Sequence, residues 1–164
     1  MKKTLIFITI MSVILSISIP ASAATPSIEA NHQNDEIIYF DDGSYLVTSF
    51  VETIDEVKYS AKSSTFIRTG TKKAEYYSND NELLWIYTLT GEFNVNNGVS
   101  VICTNATASQ TINSSSWGFY DENTYIENQI AHGEGLFKKK ILFVTTKTVE
   151  IDLFIVCDTF GNLS

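Results

Sequence analysis

The sequence predicts an all-β fold: a single antiparallel β-sandwich, or a partly open barrel, of eight or nine strands. Two observations lead to this prediction. From residue 36 onward, short runs rich in β-branched and aromatic residues alternate with polar turns. No segment after residue 35 carries apolar residues at helical spacing. The chain has 164 residues, so a single β domain over residues 36–164 is expected.

The first 23 residues are predicted to be a secretory signal peptide. Met1–Lys3 is a positively charged start, an uncharged apolar run spans Thr4–Ile19, and Ala21–Ala23 forms an A-x-A exit. Cleavage between Ala23 and Ala24 would leave 164 − 23 = 141 residues. An uncleaved membrane anchor is the alternative, although the apolar run is near the short end for a bilayer core of ~30 Å. The protein is therefore expected to be secreted, to the extracellular space or the cell envelope.

The mature chain is predicted to be strongly acidic, after a flexible lead-in over residues 24–35. The whole chain carries a formal charge of −8, and the signal contributes only Lys2 and Lys3, so the mature charge is −8 − 2 = −10. This charge argues against nucleic acid and against an anionic lipid surface as partners. No second long apolar stretch follows the signal, so no stable membrane anchor is expected after cleavage.

The first hairpin is predicted from Ile37–Phe40 and Tyr45–Val51, which flank the turn residues Asp41–Ser44. The clearest strand covers residues 82–95, where apolar residues alternate with polar ones. Its apolar face carries Leu83, Trp85, Tyr87, Leu89, Phe93 and Val95. Gly91 interrupts that face, which indicates a bulge.

The second half of the domain is predicted to hold the remaining strands, at residues 99–103, 117–120, 125–131, 135–137 and 142–156. Turns between them are expected at Asn97-Gly98, at Asp121–Asn123 and at the basic stretch Lys138–Lys140. In the last strand one face is apolar and carries Val149, Ile151, Leu153, Ile155 and Cys157. Lys147 belongs to that face only at its outer end.

Cys103 and Cys157 are predicted to form a disulfide. They are the only two cysteines of a chain expected in an oxidising compartment, and both fall in phase with apolar strand faces. Two free thiols are the alternative. The order Cys103, Trp117, Cys157 also suggests an immunoglobulin-like geometry. Ile155 stands where that family has a tyrosine, and only seven residues follow Cys157, which argues against membership.

No catalytic, cofactor-binding or metal-binding residue is assigned from the sequence, and no cofactor is expected. His132 is the only histidine after residue 35, and His132-Gly133-Glu134 lacks the helical spacing of zinc proteases. The acidic stretches Asp41–Gly43 and Asp121–Asn123 leave calcium as an alternative to simple turns, although neither matches a full calcium loop. General acid–base catalysis near neutral pH most often uses histidine, so the protein is predicted not to be an enzyme.

The segment Leu136–Phe143 combines three lysines with apolar residues on either side. The simplest interpretation of Lys138–Lys140 is a hairpin turn kept soluble by charge. A contact with a membrane is the alternative, weakened because the segment is a short β tip rather than an amphipathic helix.

The chain resembles a group of small exported proteins of Gram-positive gut bacteria. The residues that carry the resemblance are Tyr76-Tyr77, Leu84-Trp85, Cys103, Ser115-Ser116-Trp117 and the ending Cys157–Ser164, within a region from Lys73 to Ser164. The resemblance implies an exported all-β domain with a bridge, and it implies nothing about substrate or catalytic residues.

These observations predict a secreted, non-enzymatic β domain with a binding or envelope-associated structural role. Its partner is expected to be a protein or a cell-envelope ligand. The alternative function is that of a small secreted effector: a toxin, a bacteriocin-like factor or an inhibitor acting on other cells or enzymes. A long exposed loop or an apolar β tip would favour the effector, and Leu136–Phe143 is the candidate segment.

Overall fold

The computed structural model describes residues 36–53 and 65–164, and these residues form eight strands. The strands are β1 Glu36–Tyr39, β2 Tyr45–Thr53, β3 Thr65–Tyr77, β4 Leu83–Asn96, β5 Ser100–Ile112, β6 Trp117–Glu127, β7 Ile130–Ile141 and β8 Val144–Val156. The predicted signal peptide at 1–23, its cleavage between Ala23 and Ala24, and the lead-in over residues 24–35 lie outside the described residues.

The strands form two antiparallel sheets, one of five strands in the order β1-β2-β3-β4-β5 and one of three in the order β6-β7-β8. The all-β sandwich prediction is confirmed. In both sheets every strand pairs with its neighbour in sequence, which makes each sheet a meander. Immunoglobulin domains have a Greek-key order instead, so the immunoglobulin-like alternative does not describe this topology.

The core lies between the two sheets because each sheet turns one apolar face inward. On β4 the buried positions alternate as predicted, and on β8 they alternate through Val149, Ile151, Leu153 and Ile155 to Cys157. An aromatic stack crosses the core. The Trp85 ring lies between the rings of Tyr76 and Phe137, with centroids 4.8 and 3.9 Å away and planes within 8° of parallel.

Small residues allow β4 and β7 to approach each other closely. A Cβ atom on Gly91 would lie 2.8 Å from the Cβ of Ala131, and one on Gly133 would lie 2.9 Å from Cδ1 of Leu89. The bulge predicted at Gly91 lies one step further on, where Glu92 and Phe93 pair with Asn105 and Cys103. Gly91 is therefore required by the close contact between the sheets.

Several local predictions were wrong. No strand was predicted at residues 65–77, which form β3, because two of the inward positions there are held by the half-buried Arg68 and Lys72. The stretch Asp121–Asn123 lies inside β6, and Lys138–Lys140 lies inside β7, rather than in turns. The actual turns are two-residue loops at Asn128-Gln129, inside the predicted strand 125–131, and at Leu142-Phe143, at the start of the predicted strand 142–156.

Candidate binding site at the β7–β8 tip

The hairpin of β7 and β8 ends in an exposed apolar tip, defined here as residues 141–144. Ile141 and Val144 form the last strand pair, so Leu142 and Phe143 are the two loop residues. Leu142 is 87% exposed and Phe143 98% exposed, and both flanking residues are more than half exposed. Four consecutive large apolar side chains therefore stand in solvent at the end of a two-stranded ribbon.

The backbone of this tip is strained. Leu142 has a φ of 48° and Phe143 a φ of 69°, which is the combination that a type I′ hairpin turn requires. A bulky L-residue in this left-handed region costs about 1–2 kcal/mol because its Cβ crowds the following carbonyl oxygen. Asn-Gly is the preferred pair for such a loop, and this tip carries Leu-Phe instead.

The other turns of the described residues satisfy the same backbone demand with suitable residues. Among residues 36–53 and 65–164, seven have a positive φ. Five of the seven are asparagine or glycine: Asn81, Asn128, Gly43, Gly98 and Gly161. Within the described segments, Leu142 and Phe143 are thus the only residues with a positive φ that are neither asparagine nor glycine. Backbone strain of this kind concentrates at functional positions.

Two lysines behind the tip contact a tyrosine of the neighbouring strand. The Nζ atoms of Lys138 and Lys140 lie 5.2 and 4.4 Å from the centroid of the Tyr120 ring, within cation–π range. Tyr120 is the residue skipped where the pairing of β6 with β7 shifts register between Phe119 and Asp121. This bulge changes the direction of the Tyr120 side chain. The ring therefore packs against the ammonium groups of two lysines on β7.

A polar network fixes the hairpin to the five-stranded sheet. The Lys147 ammonium donates hydrogen bonds to Oδ2 of Asp42 (2.7 Å) and to Oγ of Ser44 (2.8 Å). The Ser44 hydroxyl is buried and also lies 2.6 Å from the Tyr76 hydroxyl. The hydrogen bond from Lys147, reinforced by Ser44, lowers the pKa of Asp42 to about 2. Burial by itself lowers the pKa of Lys147, but hydrogen bonds with Asp42 and Tyr76 raise it overall.

An acidic cleft of about 390 Å³ opens further along the three-stranded sheet. Five carboxylates line it: Asp121, Glu122, Glu134, Glu150 and Asp152. The Glu134 side chain accepts a hydrogen bond from Asn123 at 3.1 Å, and its main-chain oxygen accepts one from the Tyr87 hydroxyl at 2.9 Å. Burial, followed by the charges of Glu122 and Glu134, raises the pKa of Tyr87 to about 12. The cleft is therefore a strongly negative region.

His132 lies on the same face of the sheet, beyond the cleft. Its ring stacks on Tyr125 with centroids 4.5 Å apart, and its Nε2 lies 3.8 Å from a Glu127 carboxylate oxygen. The buried Nε2 makes no hydrogen bond within the described part of the chain. The structure places this histidine in an aromatic contact on the outer face.

Cys103 and Cys157 are free, buried thiols, so the predicted bridge is absent from the structure. Each thiol points at a main-chain oxygen of its own segment: Asn105 at 3.3 Å and Asp158 at 3.5 Å. The two residues nevertheless flank one turn, because their main-chain amides donate to the oxygens of Asn128 and Gln129. Burial, followed by the neighbouring charge of Asp158, raises the pKa of Cys157 to about 11.

The two acidic stretches considered for calcium are separated by the fold. Asp42 is paired with Lys147, and residues 121–123 belong to the wall of the cleft. Within residues 36–53 and 65–164, no group of three or more histidine, cysteine or acidic residues is arranged to hold a metal ion.

In comparisons with known proteins, no family model, curated protein or solved structure matches this chain. The resemblance to small exported proteins therefore stays a prediction. A search of the described residues for a helix long and apolar enough to cross a membrane found none.

The tip lies within the predicted segment Leu136–Phe143, but its turn falls at Leu142-Phe143 rather than at Lys138–Lys140. The lysines indicated a polar loop, whereas they lie in β7, where Lys138 and Lys140 reach the Tyr120 ring of the neighbouring strand. A two-residue loop occupied by Leu-Phe carries no turn signal in the sequence, because turn prediction depends on Gly, Asn, Asp and Pro.

Proposed function

We propose that this chain is a secreted, non-enzymatic β-sandwich that binds its partner through the β7–β8 tip. The observation that carries the proposal is the pair Leu142 and Phe143, both almost fully exposed and both in the left-handed region. Exposure of large apolar side chains and backbone strain each lower the stability of the free protein. A partner that covers the tip would offset both costs, which explains why exposure and strain occur at the same site.

Secretion is supported by the order of charge, apolar run and A-x-A exit at the N-terminus. N-terminal sequencing of protein from the culture medium should begin at Ala24. An intact Met1 on membrane-bound protein would contradict this part of the proposal.

The experiment that tests tip-mediated binding compares the wild type with a tip variant, Leu142→Asn combined with Phe143→Gly. Asn-Gly suits the type I′ loop, so the fold is retained while the apolar surface is removed. We expect immobilised wild type to retain bacterial envelope fractions and the tip variant to lose that retention. Val99→Asn is the matched control, since Val99 is a 71% exposed apolar residue in the β4–β5 turn. Equal retention by all three proteins would refute the proposal.

A second candidate function, a secreted effector acting on other cells, is favoured by the same apolar tip. It differs in its consequence for the target cell. An effector would inhibit growth or cause leakage of a dye from target cells, with both effects absent for the tip variant. Binding without either effect supports the non-effector role.

The non-enzymatic part of the proposal is supported by the placement of His132, which is stacked on Tyr125 outside the cleft. The acidic cleft is the region where it can be tested, because paired carboxylates perform glycoside hydrolysis in other proteins. A broad hydrolase screen is expected to find no turnover. Activity that disappears with Glu134→Gln or Glu150→Gln, in protein that remains folded, would overturn it.

We also propose that Cys103 and Cys157 form a disulfide once the protein has left the cell. Exported proteins meet oxidising conditions in which disulfides persist. The two cysteines flank the same turn, because their main-chain amides donate to the adjacent residues Asn128 and Gln129.

A further inference from the structure

We propose that the β7–β8 tip docks the protein on an anionic phospholipid bilayer. This inference rests on the proposed function and names the partner of the same site. The shape of the tip is the first reason. Stable protein–protein interfaces bury about 1,200–2,000 Å² in total, and residues 141–144 form only the narrow end of a two-stranded ribbon. Such a tip is suited to insertion between lipid headgroups.

The depth of the apolar segment matches the interface of a bilayer. A strand rises about 3.3 Å per residue, so the level at which Lys140 pairs with Thr145 lies roughly 7 Å behind the end of the loop. Interfacial apolar segments reach about 5–10 Å into the boundary between headgroups and acyl chains. Insertion of the tip to that depth brings Lys140 to the level of the lipid phosphates.

The lysines provide the polar part of the contact, and Tyr120 positions them. Tyr120 itself lies between the levels of Phe137 and Leu136, roughly 16–20 Å behind the loop. The Tyr120 ring is 46% exposed and holds the ammonium groups of Lys138 and Lys140 against it. Lysines near a membrane surface are attracted by anionic lipids, and their long side chains can extend toward the headgroups.

The distribution of charge makes this attraction compatible with an acidic protein. Asp42 lies nearer the tip, but it is ion-paired with Lys147, which stands opposite Lys139 three residues before Leu142. Asp121 and Glu150 pair with Leu136 on the neighbouring strands, six residues before Leu142 and so about 20 Å behind the loop. The Debye length at physiological ionic strength is about 8 Å, so these acids are screened from a bilayer that touches the tip. The net charge of the chain alone predicted that anionic lipid is excluded as a partner. The separation of the lysines from Asp121 and Glu150 allows the contact that the net charge disfavours.

The test uses Phe143→Trp in the full mature chain as a fluorescent probe at the most exposed tip position. Its emission should shift to shorter wavelength with vesicles in which phosphatidylglycerol replaces about a third of the phosphatidylcholine. Vesicles of phosphatidylcholine alone should give no shift, and added salt should weaken binding. Lys140→Gln in the probe protein should lower the partition coefficient about fivefold, because each lysine near the surface contributes about that much. Lys73→Gln, a matched control on the five-stranded sheet, should leave it unchanged.

Flotation of the unlabelled proteins with the same vesicles provides the second measurement. The wild type and Val99→Asn should float with the anionic vesicles, and the tip variant should remain in solution. An unshifted probe spectrum with folded protein, or flotation of the tip variant, would overturn the inference. A spectral shift that appears without vesicles as protein concentration rises would also overturn it, and would identify a second copy of the chain as the occupant. If vesicles fail but envelope fractions still distinguish the wild type from the tip variant, the proposed function stands and the lipid partner is wrong.

Discussion

Trp85 and Phe137 stack face to face across the interface of the two sheets, with ring centroids 3.9 Å apart and both side chains fully buried. Their contact joins β4 of one sheet to β7 of the other. Phe137→Ala should destabilise the protein by about 3–5 kcal/mol, because it removes a large buried ring and leaves a cavity. Urea unfolding followed by tryptophan fluorescence measures the change. Phe143→Ala, the same substitution at an exposed position, should shift the free energy of unfolding by less than about 0.5 kcal/mol.

The tip variant, Leu142→Asn with Phe143→Gly, should be more stable than the wild type. Both positions have a positive φ, and the substitutions relieve a strain of about 1–2 kcal/mol per bulky residue. The expected gain in the free energy of unfolding is about 1–3 kcal/mol, measured by urea or thermal unfolding.

The control for that prediction is Val99→Asn, where an exposed apolar residue is also removed. Its stability should remain close to that of the wild type. A tip variant that is less stable than wild type would show that Leu142 and Phe143 support the fold, which would remove the main argument for a binding role.

The ion pair between Asp42 and Lys147 should make stability depend on pH in the acid range. The pKa of Asp42 is lowered to about 2 from its ordinary value of 3.8, first by the hydrogen bond from Lys147. The unfolded chain therefore takes up a proton first as the pH falls. The stabilisation is complete above about pH 4 and is lost between about pH 4 and pH 2.

The size of this effect is limited by solvent, since the Asp42 side chain is 56% exposed. We expect about 1 kcal/mol or less. Urea unfolding at a series of pH values should show the decline in the wild type and a smaller decline in Asp42→Asn. Asp41→Asn, which alters the neighbouring exposed carboxylate, should retain the wild-type profile. Parallel profiles for wild type and Asp42→Asn would contradict the role given to the pair.

The two cysteines should respond to alkylation according to where the protein was made. Reduced, folded protein should resist labelling, because both thiols are buried and their pKa values are raised. Once unfolded, it should take up two labels. Protein recovered from the culture medium and unfolded without reductant should take up none, by intact mass. Two labels on the secreted protein would show that the proposed bridge does not form.

The sequence predicted the strands whose inward positions are all apolar. In β4 and β8 the alternation is nearly complete, so the buried residues could be assigned from the period of two. The turns at Asp41–Ser44 and at Asn97-Gly98 were also predicted, because their residues favour a positive φ or a side-chain hydrogen bond to the main chain.

The remaining elements were hidden because tertiary contacts, rather than local patterns, determine them. In β7 the inward positions include Ala131, Gly133 and Gly135, which are small because β4 and its neighbours pass so close. In β3 the inward-facing Lys72 stacks on Phe154 of the other sheet. The tip was hidden for the opposite reason: its residues oppose the backbone conformation that they adopt, and local preferences predict a turn elsewhere.

The succession of strands divides the chain into two consecutive halves. The strands within residues 36–53 and 65–112 form one sheet and those within residues 117–156 the other, and in the described part of the chain these sheets are joined by residues 113–116. Each half can pair its strands from local hairpins before the two apolar faces meet. A break in the chain at this crossing would separate no hydrogen-bonded strands, so two fragments produced separately could reassemble into the sandwich. A reporter inserted at this crossing should instead disturb both sheets, because Asn113 and Ser114 donate to the main-chain oxygen of Leu84 and Ser116 accepts from Lys140.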